Sequence, residues 1–250
     1  MTRCLSHDEL LRLKRWNTPT IYNGWEQITR HHRTKGCMNL EETRDFMPQM
    51  GPMIGYAVTV VIEPSNPDHV RNKPDAWRAH REYVARRPGP KIVVVQDLDR
   101  PRTVGSFRGE VNANVHRALG CVGTITDGAV RDVDEIGNAG FKAIARRMCV
   151  GHAYVTPVEW GGEVEVFGCR VREDALIHAD KHGFLVIPEE DQKGLYEAAC
   201  FMDANECRTI IGAARASSGK THEQILQELN QAVEAFTRNA AEKYGRQGEM

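Results

Sequence analysis

Two short runs of β-branched residues, separated by a charged segment, constrain the fold more than any other feature of the sequence. Residues 55–62 read GYAVTVVI and residues 91–95 read KIVVV. Near-continuous apolar runs of this kind are typical of strands that are covered on both faces. The segment between them, Pro64 to Pro90, predicts a loop followed by one helix over residues 75–84. A helix between two buried strands indicates a crossover connection and parallel pairing.

Capping and turn residues predict the positions of the other elements. Ser6 with Glu9 three residues later forms a capping box, which predicts a helix from residue 7. Helices are predicted at 7–16, at 21–28 with Thr20 as its cap, at 111–119, and through most of 189–250. Strands are predicted at 121–126, 140–145, 153–155, 163–167, 169–171 and 184–187, with Asp127-Gly128 forming a turn after the first of them. Residues 31–53 and 97–107 show no regular period and are predicted to be loops.

Charge and composition argue against several classes of function. The net charge is −1, so the chain lacks the basic excess that attracts nucleic acid or an anionic membrane. No apolar run reaches the roughly 20 residues of a membrane span, and residues 1–16 lack a signal-peptide core. We therefore expect a cytoplasmic protein without a nucleic-acid or membrane partner. The seven cysteines are an odd number without a Cys-x-x-Cys pair, which indicates reduced thiols.

The stretch from Gly109 to Asp134 carries the residues best suited to chemistry. Gly109 and Glu110 precede a predicted helix, whose first backbone N–H groups have no partner within the helix. These donors and the helix dipole form a site for a carboxylate or phosphate, and Gly109 lets a ligand approach the backbone closely. The alternative is that Glu110 only stabilises the first helical turn by its charge.

Arg131 and Asp132 follow the Asp-Gly turn at the end of a buried strand, where α/β folds usually carry reactive groups. Arg131 offers a planar fork of donors for a carboxylate, and Asp132 offers oxygen ligands for Mg²⁺ or Mn²⁺. A surface ion pair between the two residues is the alternative interpretation.

The order of these features resembles the RraA-like family. A glycine, an acidic residue, a helix, a strand, an Asp-Gly turn and Arg-Asp follow one another, with twenty residues between Glu110 and Arg131. The resemblance extends from residues 18–20 through 55–59 to 178–188. The family includes class II pyruvate aldolases that act on 4-hydroxy-4-methyl-2-oxoglutarate and 4-carboxy-4-hydroxy-2-oxoadipate, and also regulators of ribonuclease activity.

This resemblance implies a fold and an assembly. The implied fold is α/β, a swivelling β/β/α domain over residues 1–188 that includes the N-terminal helices, followed by a C-terminal helical extension over residues 189–250. The implied assembly is a homotrimer or homohexamer with active sites between subunits, in which the neighbouring subunit lends an acidic side chain. The charged segment at residues 64–90 departs from the family, and we expect it to reshape the mouth of the substrate site.

The resemblance also implies a role for each central residue. Arg131 would bind the substrate and act in catalysis, Asp132 would hold Mg²⁺ or Mn²⁺, and Glu110 would act in catalysis and reach the metal through water. The family's acidic residue is typically Asp, so Glu110 is one methylene longer. The substrate carboxylate would rest on a backbone cradle formed by Gly109, Glu110, Val111 and Asn112.

The implied function is that of a divalent-metal-dependent lyase that cleaves a 4-hydroxy-2-oxo acid to pyruvate by a retro-aldol reaction. Decarboxylation of oxaloacetate is expected as a side activity. The rival is a non-catalytic regulator of the RraA type, which binds a ribonuclease or another protein. The set of Glu110, Arg131 and Asp132 favours the enzyme, because an interaction protein has no physical need for it.

Other titratable residues are weaker candidates. His178 and Asp180 would share one face of a strand and could bind a metal, but an aspartate in this context more often closes a turn. His116 is interpreted as a packed or solvent-facing residue of the predicted helix. His152 is interpreted as a loop residue without a defined role.

Overall fold

The structure is a computed structural model that describes residues 5–245. The strands are β1 (Arg44–Asp45), β2 (Met53–Ile62), β3 (Lys91–Asp97), β4 (Ser106–Arg108), β5 (Cys121–Val130), β6 (Lys142–Met148), β7 (Glu159–Trp160), β8 (Val164–Val166), β9 (Cys169–Val171), β10 (Leu176–Asp180) and β11 (Gly183–Ile187). The helices are α1 (His7–Leu13), α2 (Thr18–Ile28), α3 (Asp68–Asn72), α4 (Ala76–Arg86), α5 (Glu110–Ala118), α6 (Val133–Asn138), α7 (Glu189–Arg208), α8 (Ile210–Arg215) and α9 (His222–Tyr244). By its internal contacts the chain divides into two compact units, one of residues up to 18 with 32–189, the other of residues 19–31 with those from 190 onward.

A mixed sheet, with parallel strands at its centre, lies in the middle of the first unit. Its main path runs β1-β6-β5-β3-β2-β10-β11, and β4 and β7 pair with β5 and β2 off this path. β2, β3, β5 and β6 pair in parallel, whereas β1, β10 and β11 pair antiparallel. The predicted crossover between the two β-branched runs is confirmed.

Alternate residues of each strand point to opposite faces of this sheet, and both faces are buried. Val58 and Val93 belong to a core that includes Val84 of α4 and Ala113 of α5. Ile92 belongs to a second core, which includes residues of the small hairpin β8-β9. A hairpin layer, a sheet and a helical layer therefore follow one another, and the predicted β/β/α arrangement is confirmed.

The predicted first helix exists and has the predicted cap. Ser6 Oγ accepts a hydrogen bond from the Glu9 N–H at 3.3 Å, and the Glu9 side chain accepts one from the Ser6 N–H at 2.7 Å. The helix ends at Leu13 rather than at residue 16. The predicted cap of the second helix at Thr20 is wrong, because α2 already begins at Thr18.

The predicted turn at Asp127-Gly128 is also wrong, because β5 continues to Val130 through an irregularity in its pairing. Asp127 is fully buried, accepts a hydrogen bond from Arg100 at 2.8 Å and accepts another from the Asp97 N–H at 2.9 Å. These partners compensate the buried carboxylate, so tertiary contacts override the turn preference of an Asp-Gly pair.

Two segments differ from the prediction in number or type of elements. Residues 64–90 contain two helices, α3 and α4, rather than one. Residues 153–155 form no strand; there, the Tyr154 N–H donates to the Pro64 carbonyl at 3.0 Å. The predicted loop at 31–53 includes β1 and a short 3-10 helix at Pro48–Met50.

The second unit is helical, as predicted for the region after residue 189. α2 packs on α7, where the indole N–H of Trp25 donates to Asp191 at 2.9 Å and both side chains are buried. α9 begins with a capping box formed by Thr221 and Gln224. No helix within residues 5–245 is long and apolar enough to cross a membrane. The six cysteines in that range form no disulfide; the seventh, Cys4, lies outside the described residues.

Gly24 sets the distance between α2 and α7. A Cβ atom at this position would lie 2.4 Å from the backbone nitrogen of Ala199, so the Gly24→Ala variant must push two helix backbones apart. We expect it to lower the free energy of unfolding by about 1–3 kcal/mol, measured by urea denaturation. Gly194→Ala is the matched control, because its Cβ would make an ordinary contact at 3.5 Å. An equal effect of both changes would contradict this account.

Candidate functional site

The start of α5 and the end of β5 meet at one point of the first unit. β4 runs parallel to the end of β5 and pairs Arg108 with Val130. The residues that follow these strands, Gly109 and Arg131, therefore lie side by side, and the Arg131 N–H donates to the Arg108 carbonyl at 3.0 Å. Two segments predicted from the sequence to form one site are thus adjacent in space.

Asp132 directs its carboxylate toward α5 rather than toward its own helix. It stands at the N-cap of α6 in the left-handed conformation (φ 53°, ψ 48°) and makes no capping hydrogen bond there. Its Oδ2 instead accepts a hydrogen bond from the Glu110 N–H at 3.1 Å. Left-handed backbone is uncommon for residues other than glycine, although aspartate tolerates it better than most. The turn of the backbone at Asp132 therefore brings its carboxylate to the start of α5.

Gly109 is required by the close approach of these side chains. It is the N-cap of α5 in an extended conformation. A Cβ atom here would lie 2.5 Å from Asp132 Oδ2 and 3.0 Å from Arg131 Nε. Any larger residue would displace the carboxylate, the guanidinium, or both.

The start of α5 retains two backbone donors. The Glu110 N–H, which was predicted to be part of the substrate cradle, already donates a hydrogen bond to Asp132. Across residues 5–245, no acceptor contacts the N–H groups of Val111 and Asn112, which belong to the unpaired first turn of a helix. An anion at this helix start would therefore bind the N–H groups of Val111 and Asn112.

Arg131 is held loosely and is partly exposed to solvent. Its Nε lies 3.5 Å from Asp132 Oδ2, and its terminal nitrogen donates to the Val150 carbonyl at 3.4 Å. The two side chains are 35% and 36% exposed. Long contacts of this kind stabilise little, so the ion pair with Asp132 leaves the Arg131 guanidinium available to a ligand.

A cleft of about 240 Å³ opens beside this point. Four of the predicted site residues line it, whereas the side chains of Glu110 and Asp132 stand outside the lining. One wall is aromatic, because the rings of Trp77 and Phe107 stack with centroids 4.9 Å apart and planes at 12°. The lining residues are Trp77, Ser106, Phe107, Gly109, Val111, Asn112, Arg131, His152 and Val155.

Five lining residues were not predicted as site residues from the sequence, namely Trp77, Ser106, Phe107, His152 and Val155. Trp77 belongs to α4 of the charged segment, so this segment contributes to the cleft wall, in line with the expectation that it shapes the mouth. His152 lies in a loop, and its Nδ1 is 2.8 Å from the Ala153 carbonyl. A carbonyl oxygen only accepts hydrogen bonds, so Nδ1 carries the ring proton. Nε2 is the other polar atom of the imidazole ring. Neither Trp77 nor His152 stands in a motif that could have identified it.

A buried polar cluster lies behind the cleft. Arg108 is fully buried without a carboxylate partner in the described chain, and its terminal nitrogen lies 2.8 Å from His116 Nδ1. Burial lowers the pKa of Arg108 to about 9 and lowers the pKa of His80 to about 3. Burial also lowers the pKa of His116. His116 is therefore a packed residue behind the site, which is one of the two interpretations left open by the sequence.

The acidic side chains at this point suit a hard divalent ion that keeps most of its water ligands. They do not form a site that encloses a metal with protein ligands alone. Among the residues described, no group of three or more His, Cys, Asp or Glu side chains is placed so that it could hold a metal ion by itself. Mg²⁺ retains several waters and binds proteins through one or two carboxylates. Asp132, with Glu110 beside it, meets this modest requirement.

His178 and Asp180 do not form a metal site. Thr18 Oγ1 lies 2.9 Å from His178 Nδ1, and the Thr18 N–H donates to Asp180 at 2.8 Å. Asp180 also accepts from the His182 N–H at 2.9 Å, which closes the turn between β10 and β11. The turn-closing interpretation is confirmed.

Comparison with known proteins agrees with this fold. The sequence profile of the RraA-like family, described as Aldolase/RraA, matches residues 18–186. An uncharacterized protein from Pseudomonas syringae pv. tomato has a similar structure, with a TM-score of 0.68 and 20% identity over 91% of this chain and 96% of the other. RraAS2 of Streptomyces coelicolor, described as an unusual member of the RNase ES inhibitor RraA protein family, has a TM-score of 0.65 and 18% identity over 82% and 96% of the two chains.

The family match covers well over half of the chain and includes the whole stretch from Gly109 to Asp132. The sheet, the hairpin layer and the helical layer have the arrangement that this resemblance implies. The family description joins aldolases with RraA proteins, so membership alone does not choose between catalysis and regulation. The chain belongs to the RraA-like family.

Proposed function

We propose that the protein is a divalent-metal-dependent lyase that cleaves a 4-hydroxy-2-oxo acid to pyruvate, with oxaloacetate decarboxylation as a side activity. One observation carries the proposal: the residues of two free helix-start N–H groups and Arg131 line one cleft, and the Asp132 carboxylate lies against the same helix start, where it accepts from the Glu110 N–H. Cleavage of a 2-oxo acid requires hydrogen-bond donors for the substrate carboxylate, a cation for the oxo oxygen and a hard ligand for a metal ion.

Substrate binding would use the polar end of the cleft. The N–H groups of Val111 and Asn112 would bind the carboxylate, assisted by the positive end of the helix dipole. Arg131 would donate to the C2 oxygen. A volume of about 240 Å³ is below the range of drug-sized sites and suits a small acid.

Asp132 would hold Mg²⁺ or Mn²⁺, and Glu110 would approach the ion through water. When bound, the ion supplies a Lewis acid that stabilises negative charge on oxygen. The carboxylate of Asp132 lies beside the helix start, because its Oδ2 accepts a hydrogen bond from the Glu110 N–H. Arg131 would complete the positive surroundings of the reacting oxo group.

Cleavage would move electrons toward Arg131. As the 4-hydroxyl loses its proton, its electron pair forms a C4=O bond and the C3–C4 bond breaks, so that the fragment carrying C4 leaves as a carbonyl compound. The C3–C4 electron pair becomes the C2=C3 bond and the C2 carbonyl pair moves to oxygen, giving pyruvate enolate. The Arg131 guanidinium stabilises this oxygen. The exposed Glu110 carboxylate would accept the hydroxyl proton through water, and C3 then takes up a proton to give pyruvate.

Pyruvate release tests the proposal directly. Oxaloacetate and 4-hydroxy-4-methyl-2-oxoglutarate would be supplied with Mg²⁺, with Mn²⁺ and with a chelator, and pyruvate followed with a coupled dehydrogenase. We expect release that depends on the metal and stops with the chelator. If no 2-oxo acid tested yields metal-dependent pyruvate, the protein is not this lyase.

Gly109→Ala is expected to lower pyruvate release by about 10²-fold, because the new Cβ displaces the Asp132 carboxylate and misaligns the reacting groups. Gly137→Ala is a matched control, since its Cβ would meet the nearest atom of Met47 only at 3.7 Å. Steady-state rates of both variants provide the measurement. Equal activity of the two variants would show that the approach of Asp132 to Gly109 does not matter.

The assembly remains part of the proposal. A homotrimer or a pair of trimers would bring an acidic side chain of a neighbouring subunit to the mouth of the cleft. Mass measurement in solution, with a subunit mass of 28.1 kDa, checks this expectation. A monomer with full activity would show that the site is complete within one chain.

The second candidate is a non-catalytic regulator that binds a ribonuclease or another protein. The description of the Streptomyces coelicolor relative as an RNase ES inhibitor family member is the observation that favours it. Inhibition of a purified ribonuclease by the protein, unchanged in an Asp132→Asn variant and without any pyruvate release, would support the regulator over the lyase.

A further inference from the structure

We propose, on the basis of the proposed function, that Arg108 is a positioning residue for the substrate carboxylate. Its buried guanidinium would not touch the substrate. It would act through the first turn of α5, by adding a full positive charge behind the backbone N–H groups that bind the carboxylate. The burial of the guanidinium, its contacts and its place in the chain support this role.

The Arg108 guanidinium has no counter-ion within residues 5–245. It is fully buried, and its Nε and one terminal nitrogen have no hydrogen-bond partner there. Burial lowers the pKa of Arg108 to about 9, and no carboxylate of the described chain raises it, so the group is charged at neutral pH. Because the chain itself covers the guanidinium completely, a side chain of a neighbouring subunit cannot contact it.

Packing alone does not explain an arginine at this position. The guanidinium carbon lies 4.5 Å from the centroid of the Phe107 ring and 5.7 Å from that of the Phe141 ring, and these rings compensate the charge only in part. An apolar side chain of similar length would fill the same space without the cost of removing a charge from water. The property that an apolar side chain cannot supply here is the positive charge.

This charge lies directly behind the start of α5. Arg108 precedes the N-cap residue Gly109, and its carbonyl accepts the Arg131 N–H at 3.0 Å. Its terminal nitrogen lies 2.8 Å from His116 Nδ1, which in turn lies 2.8 Å from the Asn112 carbonyl. A neutral Nδ1 either accepts or donates, so only one of these contacts is a hydrogen bond. Two short contacts in series place the guanidinium close to the backbone of Asn112, whose N–H group would bind the carboxylate.

Burial makes the charge of Arg108 effective at this helix start. Water and salt screen exposed charges, whereas a buried guanidinium acts through a medium of lower dielectric constant. The side chains of Glu110 and Asp132 bring two negative charges to the same helix start, and these would repel an incoming carboxylate. Arg131 is partly exposed, so its charge is screened more than that of Arg108. Arg108 therefore offsets part of the repulsion before any ligand binds.

Two ligands that differ in charge test the inference without turnover. 2-Oxobutanoate has the 2-oxo acid end but no 4-hydroxyl, so it cannot undergo the retro-aldol reaction, and its methyl ester has the same skeleton without the charge. We expect Arg108→Met to weaken binding of the acid to the full chain with Mg²⁺ by about tenfold, as for unit charges roughly 10 Å apart at an effective dielectric constant of about 20. Binding of the ester should not change. Titration followed by NMR of the ligand gives both dissociation constants.

Two further variants separate the charge from other roles of the side chain. Arg108→Gln removes the charge but can still donate to His116, so it should weaken binding of the acid as much as Arg108→Met does. Arg117→Met is the matched control, because it removes the same charge from an exposed position in the last turn of α5, and it should leave both ligands unaffected. The urea midpoint of Arg108→Met should not fall below that of the wild type, because the change removes an unpaired buried charge.

Four outcomes overturn the inference. The first is an unchanged affinity for the acid in both Arg108 variants. The second is an equal loss for the acid and the ester, which indicates a distorted helix start rather than a missing charge. The third is a normal affinity in Arg108→Gln alone, which assigns the effect to the contact with His116. The fourth is a lower urea midpoint in both Arg108 variants, which shows that the guanidinium stabilises the fold.

Turnover separates this inference from the proposed function. Charge-dependent binding without pyruvate release from any hydroxy acid removes the lyase and retains the role of Arg108. Metal-dependent pyruvate release with the same KM for oxaloacetate in the wild type and in Arg108→Met removes that role and retains the lyase. If both proposals are correct, Arg108→Met should raise the KM for oxaloacetate about tenfold and leave kcat within about threefold, because the charge acts on binding.

Discussion

Asp132→Asn is expected to lower pyruvate release by about 10³-fold or more while the fold stays intact, because the change removes the charge that would hold the metal. Asparagine is the suitable replacement, since it tolerates the left-handed backbone at this position and its side-chain oxygen can still accept from the Glu110 N–H. Asp134→Asn makes the same change of charge two residues on, at an exposed position of α6, and should have no effect. Rates of pyruvate release and circular dichroism provide the two measurements.

Arg131→Ala should abolish release to a similar degree, and Arg131→Lys should restore it only in part, because an ammonium lacks the planar fork of donors. The side chain is 35% exposed and makes only long contacts, so its loss should change the free energy of unfolding by less than about 1 kcal/mol. Full activity in both Asp132→Asn and Arg131→Ala would rule out the proposed site.

The protein should lose stability steeply between pH 6.5 and 5. His80, His116 and His178 are fully buried, and burial lowers the pKa of each, to about 3 for His80 and about 4 for His178. The unfolded chain binds protons at these residues below pH 6.5, whereas the folded chain does not, so stability falls as pH falls. Asp97 acts in the opposite direction, because burial raises its pKa to about 7.

Three protons taken up by the unfolded state, less one held by the folded state at Asp97, leave a difference of two. The free energy of unfolding should therefore fall by roughly 2.7 kcal/mol per pH unit near pH 5, where the unfolded histidines are almost fully protonated, and less steeply near pH 6.5, where they are about half protonated. Urea denaturation at several pH values measures the slope. His80→Phe should reduce the slope by about 1.4 kcal/mol per unit, whereas His222→Gln, at an exposed position, should leave it unchanged. A stability that is flat from pH 6.5 to 5 would contradict this account.

The central sheet could be predicted because its signal is local. The β-branched runs of β2 and β3 have no other way to bury their side chains, and the structure buries both faces of the sheet. The capping box at Ser6 and Glu9 is equally local and was also found. The turn at Asp127-Gly128 was wrong for the opposite reason, since its outcome depends on Arg100, a residue that is distant in sequence.

The candidate site shows the same division. The sequence by itself determined the helix start at Gly109 and the number of residues between Glu110 and Arg131, because these follow from backbone donors and residue order, whereas the strand before Arg131 runs four residues beyond its predicted end. Only the tertiary structure decided that Asp132 occupies the Glu110 N–H and that Trp77 forms a wall with Phe107. Such contacts join residues more than twenty positions apart, and their geometry depends on the packing of whole strands and helices rather than on any local preference of the chain.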